Sequence, residues 1–175
     1  LVATIKGGIR DENGQPLPKR SVGEIHVRGP SLMSGYANDN DDDVFDEDGW
    51  FATGDIGYFD DDDFLYIVDR RKDMVISGGE NIYCAEVEQA IERHPAVVEC
   101  AAIGQPDDRL GERLIAIVTL LPGTESSEAD ILASCSEHLT KNKVPKSIII
   151  GSEAMPRNAT GKLIKPQIRK QYEQS

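Results

Sequence analysis

Aromatic side chains are scarce in this sequence, at 6% with a single tryptophan, and its 19 Lys and Arg are outnumbered by 31 Asp and Glu. The formal charge of −12 argues against a nucleic-acid or anionic-membrane surface, which would need a basic face. Cysteine is sparse as well. Cys84, Cys100 and Cys135 are odd in number and lack metal-ligand spacing, which fits a reducing, cytoplasmic setting and offers no metal site. No apolar run approaches the ~20 residues that span a bilayer, and the first residues carry no signal-peptide pattern. What remains is a chain of 175 residues, 39% hydrophobic, which is enough for a packed core. That length holds one domain, or one domain plus part of another.

Residues 1–69 read as β-rich. Val2 to Ile5 is a short strand, Asp11-Glu-Asn-Gly14 a turn, and Glu24-Ile-His-Val-Arg28 alternates polar and apolar side chains as a half-buried strand does. His26 lies on the polar phase, which predicts a solvated side chain. The acidic run from Asn38 to Asp48 fails as a calcium loop: counted from Asp39, the sixth position is Val44 instead of glycine. In Trp50-Phe-Ala-Thr-Gly-Asp55, a Thr-Gly pair presents Asp55 from a tight backbone position. Such a carboxylate either caps a turn or accepts hydrogen bonds from two vicinal hydroxyls, as on a ribose. Strands at Ile56–Phe59 and Phe64–Val68 flank the acidic turn Asp60–Asp63.

The stretch Asp69 to Glu88 divides the chain. A polar, mostly basic run leads into the short strand Met74-Val75-Ile76, then Gly78-Gly79, then an amphipathic helix from Cys84. The charged connector predicts a domain junction, with domains at 1–69 and 70–175, and the glycine doublet predicts close approach to backbone. Beyond it the pattern is α+β. A helix over Cys84–Arg93 precedes a buried strand over Ala96–Ile103 and a polar loop, Gln105–Glu112, in which Arg109 pairs with an acidic neighbour. A second buried strand follows over Leu114–Leu121, then a helix capped by Ser127 and Asp130, a third strand over Ser147–Ile150, and a basic helix opening at Pro166. The expected fold of this part is a three-stranded sheet with flanking helices. Between the third strand and the last helix, Met155-Pro-Arg-Asn-Ala-Thr-Gly-Lys162 fails as a P-loop. Pro156 stands where the first glycine belongs and Leu163 where Ser or Thr should bind magnesium. What is left is Lys162 at the tip of a mobile small-residue loop, either an ordinary surface lysine or one inserted into a partner surface.

Together these segments resemble the C-terminal part of an adenylate-forming enzyme of the AMP-binding superfamily, which includes acyl- and aryl-CoA synthetases, luciferases and peptide-synthetase adenylation domains. The resemblance rests on Gly23-Glu-Ile-His-Val-Arg-Gly29, Gly35-Tyr36, Gly49-Trp-Phe-Ala-Thr-Gly-Asp55, Asp69-Arg-Arg-Lys-Asp73, Ser77-Gly-Gly-Glu-Asn-Ile82, Glu86-Val-Glu88 and Pro156 to Lys162, in family order. It implies that a carboxylic acid, fatty or aromatic, attacks the α-phosphate of MgATP to give an acyl-adenylate, from which coenzyme A displaces AMP. It matches Asp55 and Arg70 with ATP/AMP-binding residues, Lys162 with the lysine bridging carboxylate and phosphate, and Lys72 with a hinge between half-reactions. Gly78 and Gly79 match the backbone that meets the coenzyme A arm. Ala52 departs from the arginine common there, and Lys72 from the equally familiar aspartate. The phosphate loop, most of the acyl pocket and the Mg2+-binding acid of such an enzyme would precede Leu1, on a missing N-terminal domain, so the chain is expected to be an inactive fragment by itself. Two other readings stand beside it: an adenylation domain that loads a carrier protein, and a free-standing binding module. The Ser77–Ile82 version favours coenzyme A as acceptor.

Overall fold

The computed structural model describes residues 5–35 and 44–172. The chain forms two compact units, Leu1–Lys72 and Asp73–Ser175. Their boundary lies three residues beyond the sequence expectation, so Arg70 and Lys72 belong to the first unit.

The first unit is an antiparallel meander of β1 (Lys6–Arg10), β2 (Gly23–Arg28), β3 (Phe51–Phe59) and β4 (Leu65–Arg70), hydrogen-bonded in that order. The strand expected at Val2–Ile5 falls mostly outside the described residues; Ile5 itself precedes β1. The acidic run from Asn38 is described only from Val44, where Asp46 closes a turn by accepting from the amides of Asp48 and Trp50. Ile9, Ile25 and Ile56 are the buried aliphatic residues of this sheet. Of Trp50-to-Asp55, all but Trp50 lies in β3.

The irregularity of β3 is what matters. Two steps along β2, from Glu24 to His26, correspond to four along β3, from Ile56 to Ala52. Thr53, Gly54 and Asp55 therefore bulge out of the ladder, and Gly54 supports the distortion with a φ of 73°. A bulge re-aims side chains that regular pleating would fix. Asp55 sits on it.

The second unit is a layered α+β structure. β5 (Val75–Ser77) and β6 (Glu80–Ile82) form a small hairpin; α1 (Cys84–Ile91) follows, then β7 (Val97–Asp107), β8 (Gly111–Leu120), α2 (Glu128–Ser136), β9 (Ile148–Ile150) and α3 (Lys165–Tyr172). The three expected strands are β7, β8 and β9; the β5–β6 hairpin extends them to a five-stranded sheet, with β9 parallel to β8. Because successive strand residues point to opposite faces, the apolar run Leu114–Val118 feeds two cores. Leu114, Ala116 and Val118 pack with Cys84, Val87, Ile91, Ile131 and Cys135 beneath α1 and α2. Ile115 and Ile117 pack with Met155 and Ile168 beneath α3. Burial on both faces explains why β8 shows no polar alternation. Ser127 and Asp130 form the expected capping box.

One expectation fails here. Gln105–Glu112 is not a polar loop: β7 runs on through Pro106 to Asp107, and β8 begins at Gly111. Gln105 is buried, its side-chain amide donating to the Tyr172 carbonyl while its Oε1 accepts from Arg113 Nε at 3.0 Å. Polar residues can be strand when the partner helix satisfies them.

Candidate functional site

In the first unit the register pairs Asp55 of β3 with Arg70 of β4, and Arg70 Nε meets Asp55 Oδ1 at 2.8 Å. The pair is at the surface: 25% of the Asp55 side chain and 57% of the Arg70 side chain remain exposed. A ligand can therefore reach both, using a carboxylate oxygen as acceptor and a guanidinium as donor. The backbone beneath is closed locally. Thr53 Oγ1 donates to the Ile25 carbonyl at 2.8 Å and accepts from the Asp55 amide at 3.1 Å.

Beside this pair lies a residue that the sequence did not single out. Glu24 keeps only 13% of its side chain exposed; its Oε1 accepts from the Gly54 amide at 3.2 Å and its Oε2 from Arg71 Nη1 at 2.9 Å. His26 stands near it, Nε2 to Oε2 at 3.9 Å, with 12% exposure, so the expected solvated histidine is largely buried. It lines a pocket with Phe45, Asp46, Trp50 and Ala52, and burial pushes its pKa down although Glu24 pulls it up. The only signal in the sequence was a glutamate in a strand beside a Thr-Gly-Asp, which periodicity reads as a solvent-facing position.

Lys72 lies in the one-turn 3₁₀ segment Arg71–Asp73 and is exposed. The two glycines form the tip of the β5–β6 hairpin, with φ of 60° at Gly78 and 83° at Gly79. Positive φ at both central residues is the signature of a two-residue type I′ turn, which fixes glycine for conformational reasons alone. A β-carbon on Gly79 would meet nothing of this chain within 4 Å, so the turn leaves open space beside its backbone. Gly78 is held from below, its amide donating to the Leu110 carbonyl at 2.8 Å.

Lys162 is exposed on a loop more ordered than expected. Asn158 Oδ1 accepts from the amides of Thr160 (3.0 Å) and Lys162 (2.9 Å) and from Thr160 Oγ1 (2.8 Å). Arg157 bonds the Gly161 carbonyl and pairs with Glu99 of β7. Lys165, just beyond, pairs with Glu88 of α1 at 2.7 Å, and Glu88 also accepts the Ala102 amide at 2.8 Å. The lysine is thus a flexible side chain on a braced backbone.

These anchors place the second unit's two candidate loops. Lys162's loop is tied to Glu99, near the start of β7, whereas the glycine turn is tied to Leu110, at the β7–β8 turn. At ~3.3 Å per residue, the two anchor points, at Glu99 and at the end of β7, lie about 25 Å apart along the strand. Asp55 and Arg70 are brought together; Lys162 and the glycines are set at opposite ends of one hairpin. Among the described residues, no group of three His, Cys, Asp or Glu side chains could hold a metal ion. Nor is any helix among them long and apolar enough to cross a membrane.

Residues 86–162 match the family model of the AMP-binding enzyme C-terminal domain. That segment resembles this family, and over most of its length the chain is similar to acid–CoA ligases. It is 45% identical, over 94% of its length, to a long-chain-fatty-acid–CoA ligase of Mycobacterium tuberculosis, of which it covers 32%. Among solved structures it resembles ATP-bound MatB from Rhodopseudomonas palustris (36% identity, TM-score 0.89, 97% of this chain and 34% of that one). It also resembles the o-succinylbenzoate CoA synthetase of Bacillus subtilis bound to its acyl-adenylate intermediate (37% identity, TM-score 0.84, 94% and 34%). The chain spans about a third of the length of the curated relatives it matches.

Proposed function

We propose that this chain is the C-terminal portion of a cytoplasmic ligase that joins a carboxylic acid, fatty or aromatic, to coenzyme A at the expense of ATP, through an acyl-adenylate. The observation that carries this reading is the placement of Lys162 and Gly78-Gly79 at opposite ends of the β7–β8 hairpin. Two loops anchored about 25 Å apart on one unit suit two orientations of that unit better than one. Two half-reactions with a turn between them use both ends, and domain rotation of this kind is an established switching device.

In the first half-reaction, the carboxylate of the acid attacks the α-phosphorus of ATP and pyrophosphate leaves. The Asp55 carboxylate accepts from the ribose hydroxyls, Arg70 contacts the same nucleotide, and Lys162 presents its ammonium to the negative charge shared by carboxylate and phosphate. Point-charge stabilisation of this kind dominates phosphoryl chemistry, where the protein has little covalent work to do. Lys72 then serves as hinge, and the coenzyme A arm passes the backbone of Gly78 and Gly79, where no β-carbon stands. Among the described residues no group of three His, Cys, Asp or Glu side chains could hold a metal ion, and no step here depends on the ion that accompanies ATP.

Lys162→Ala, in the ligase that carries this chain, should slow acyl-adenylate formation by about 10²–10³-fold. Thioester formation from supplied acyl-adenylate should be nearly unchanged. An equal fall in both steps, measured by pyrophosphate release and by thioester yield, would overturn the division of roles.

A further inference from the structure

We propose that Glu24 is a positioning residue for the nucleotide: by holding the Gly54 amide and the Arg71 guanidinium on one carboxylate, it fixes the Asp55–Arg70 pair that those residues adjoin. The proposal rests on the reading of Asp55 as the ribose acceptor.

Gly54 immediately precedes Asp55, and Arg71 immediately follows Arg70. Their partners on Glu24 are its two different oxygens, Oε1 at 3.2 Å and Oε2 at 2.9 Å. The carboxylate therefore bridges β3 to the end of β4 across the bulge, at a point where the ladder is irregular on both sides. Between β2 and β3 the register slips after Glu24, and between β3 and β4 it slips after Ile56. The β3–β4 ladder pairs Asp55 with Arg70 beyond its slip, but on the β2 side Thr53, Gly54 and Asp55 have no ladder partners, and there the Glu24 carboxylate supplies the tie. Glu24 comes from the middle of the sheet and is largely desolvated, and charge-assisted hydrogen bonds there are stronger than ordinary ones. It is itself too deeply set to be the ligand's first contact, whereas Asp55 and Arg70 remain reachable. Arg71 also opens the 3₁₀ turn that contains Lys72, so the same carboxylate steadies the backbone entering the proposed hinge.

The experiment compares ATP with 2′,3′-dideoxy-ATP in acyl-adenylate formation by the ligase bearing this chain, unsubstituted and as Glu24→Gln and Glu24→Ala. Unsubstituted enzyme should prefer ATP. Glu24→Ala should raise the KM for ATP roughly tenfold with a smaller change in kcat, and Glu24→Gln, which keeps an oxygen for the Gly54 amide, should fall between. With dideoxy-ATP the KM penalty should shrink to less than twofold, because the contact that Glu24 positions is then absent. A penalty of the same size on both nucleotides overturns the proposal and leaves Asp55 untouched. No preference for ATP in the unsubstituted enzyme would overturn the ribose role of Asp55, and with it the proposal. An NMR titration of His26 in the 175-residue chain reports separately on folding. In Glu24→Gln its pKa should drop further, since Glu24 and Asp46 raise it against burial, Arg10 and Arg71. A His26 resonance at random-coil position would mark a misfolded variant, and Glu24→Asp, which restores the charge, then decides by the same nucleotide comparison.

Discussion

The two units solve the same problem, presenting a few polar groups on a stable frame, in opposite ways. The second has a sheet covered on both faces, with fully buried Ile115 and Ile117 on one side and Leu114 and Val118 on the other. Its candidate groups sit on turns at the ends of that frame and take little part in holding it together. The first has a four-stranded sheet whose buried aliphatic residues are Ile9, Ile25 and Ile56, while Phe64 and, along β4, Leu65, Tyr66 and Ile67 stay exposed. Its candidate groups are part of the frame: Asp55 and Arg70 pair across β3 and β4, and Glu24 ties Gly54 and Arg71 together beside the bulge. A rigid apolar core lets functional residues be peripheral. A thin one makes them structural as well.

The sharpest way to break this contrast is to separate the units. Residues 73–175 alone should unfold in one cooperative transition, whereas residues 1–72 alone should show none by circular dichroism. The thiols give a parallel readout, because Cys84, Cys100 and Cys135 are all buried in the second unit and burial pushes the Cys100 thiol well up. They should resist alkylation at neutral pH until that unit opens. Cooperative unfolding of 1–72 would remove the distinction.

A core substitution tests the same contrast within the intact chain. Ile117→Ala should destabilise the second unit by about 2–5 kcal/mol, the usual range for truncating a fully buried aliphatic side chain. Ile25→Ala, in the first unit, should leave the thiol-reported transition where it was. A shift of similar size from both would mean that the units unfold as one.

The smallest expected effect concerns the β7–β8 turn. Asp107 is held below its ordinary pKa of 3.8, chiefly by the Leu110 amide and then by that of Arg109. A depressed carboxyl pKa contributes stability that is fully present above the unfolded value and is lost as pH falls through the folded one. Asp107→Asn should therefore lower the melting temperature of the second unit slightly at pH 6 and not at all near pH 2. A difference that persisted at the acid end would assign the effect to something other than the charge.

Much of the second unit was legible because its signals are local. The continuous run Leu114–Leu121 reads as a buried strand, and Ser127 with Asp130 as a helix start; each involves neighbours in sequence. The site residues Asp55, Arg70 and Lys162 were named through motif resemblance, not periodicity. What could not be read joins distant residues: Glu24 to Gly54 is a separation of 30 and to Arg71 of 47, and Arg157 to Glu99 of 58. His26 was misread for the same reason. Alternation assigns a face to a residue, but it does not say whether another segment will cover that face.

By itself, the sequence determined which residues are candidates for the chemistry: a carboxylate, a guanidinium, two lysines and a pair of glycines, set in a chain of alternating and continuous apolar runs. Those follow from side-chain type and from the periods of strand and helix, which need no knowledge of partners. Only the tertiary structure decided that Asp55 and Arg70 meet at 2.8 Å, that Glu24 bonds their neighbours Gly54 and Arg71, and that the loops of Lys162 and the glycine turn are anchored toward opposite ends of one hairpin. Register and bulges set those distances, and they are fixed by pairing between strands, where a slip of one residue turns every side chain to the other face.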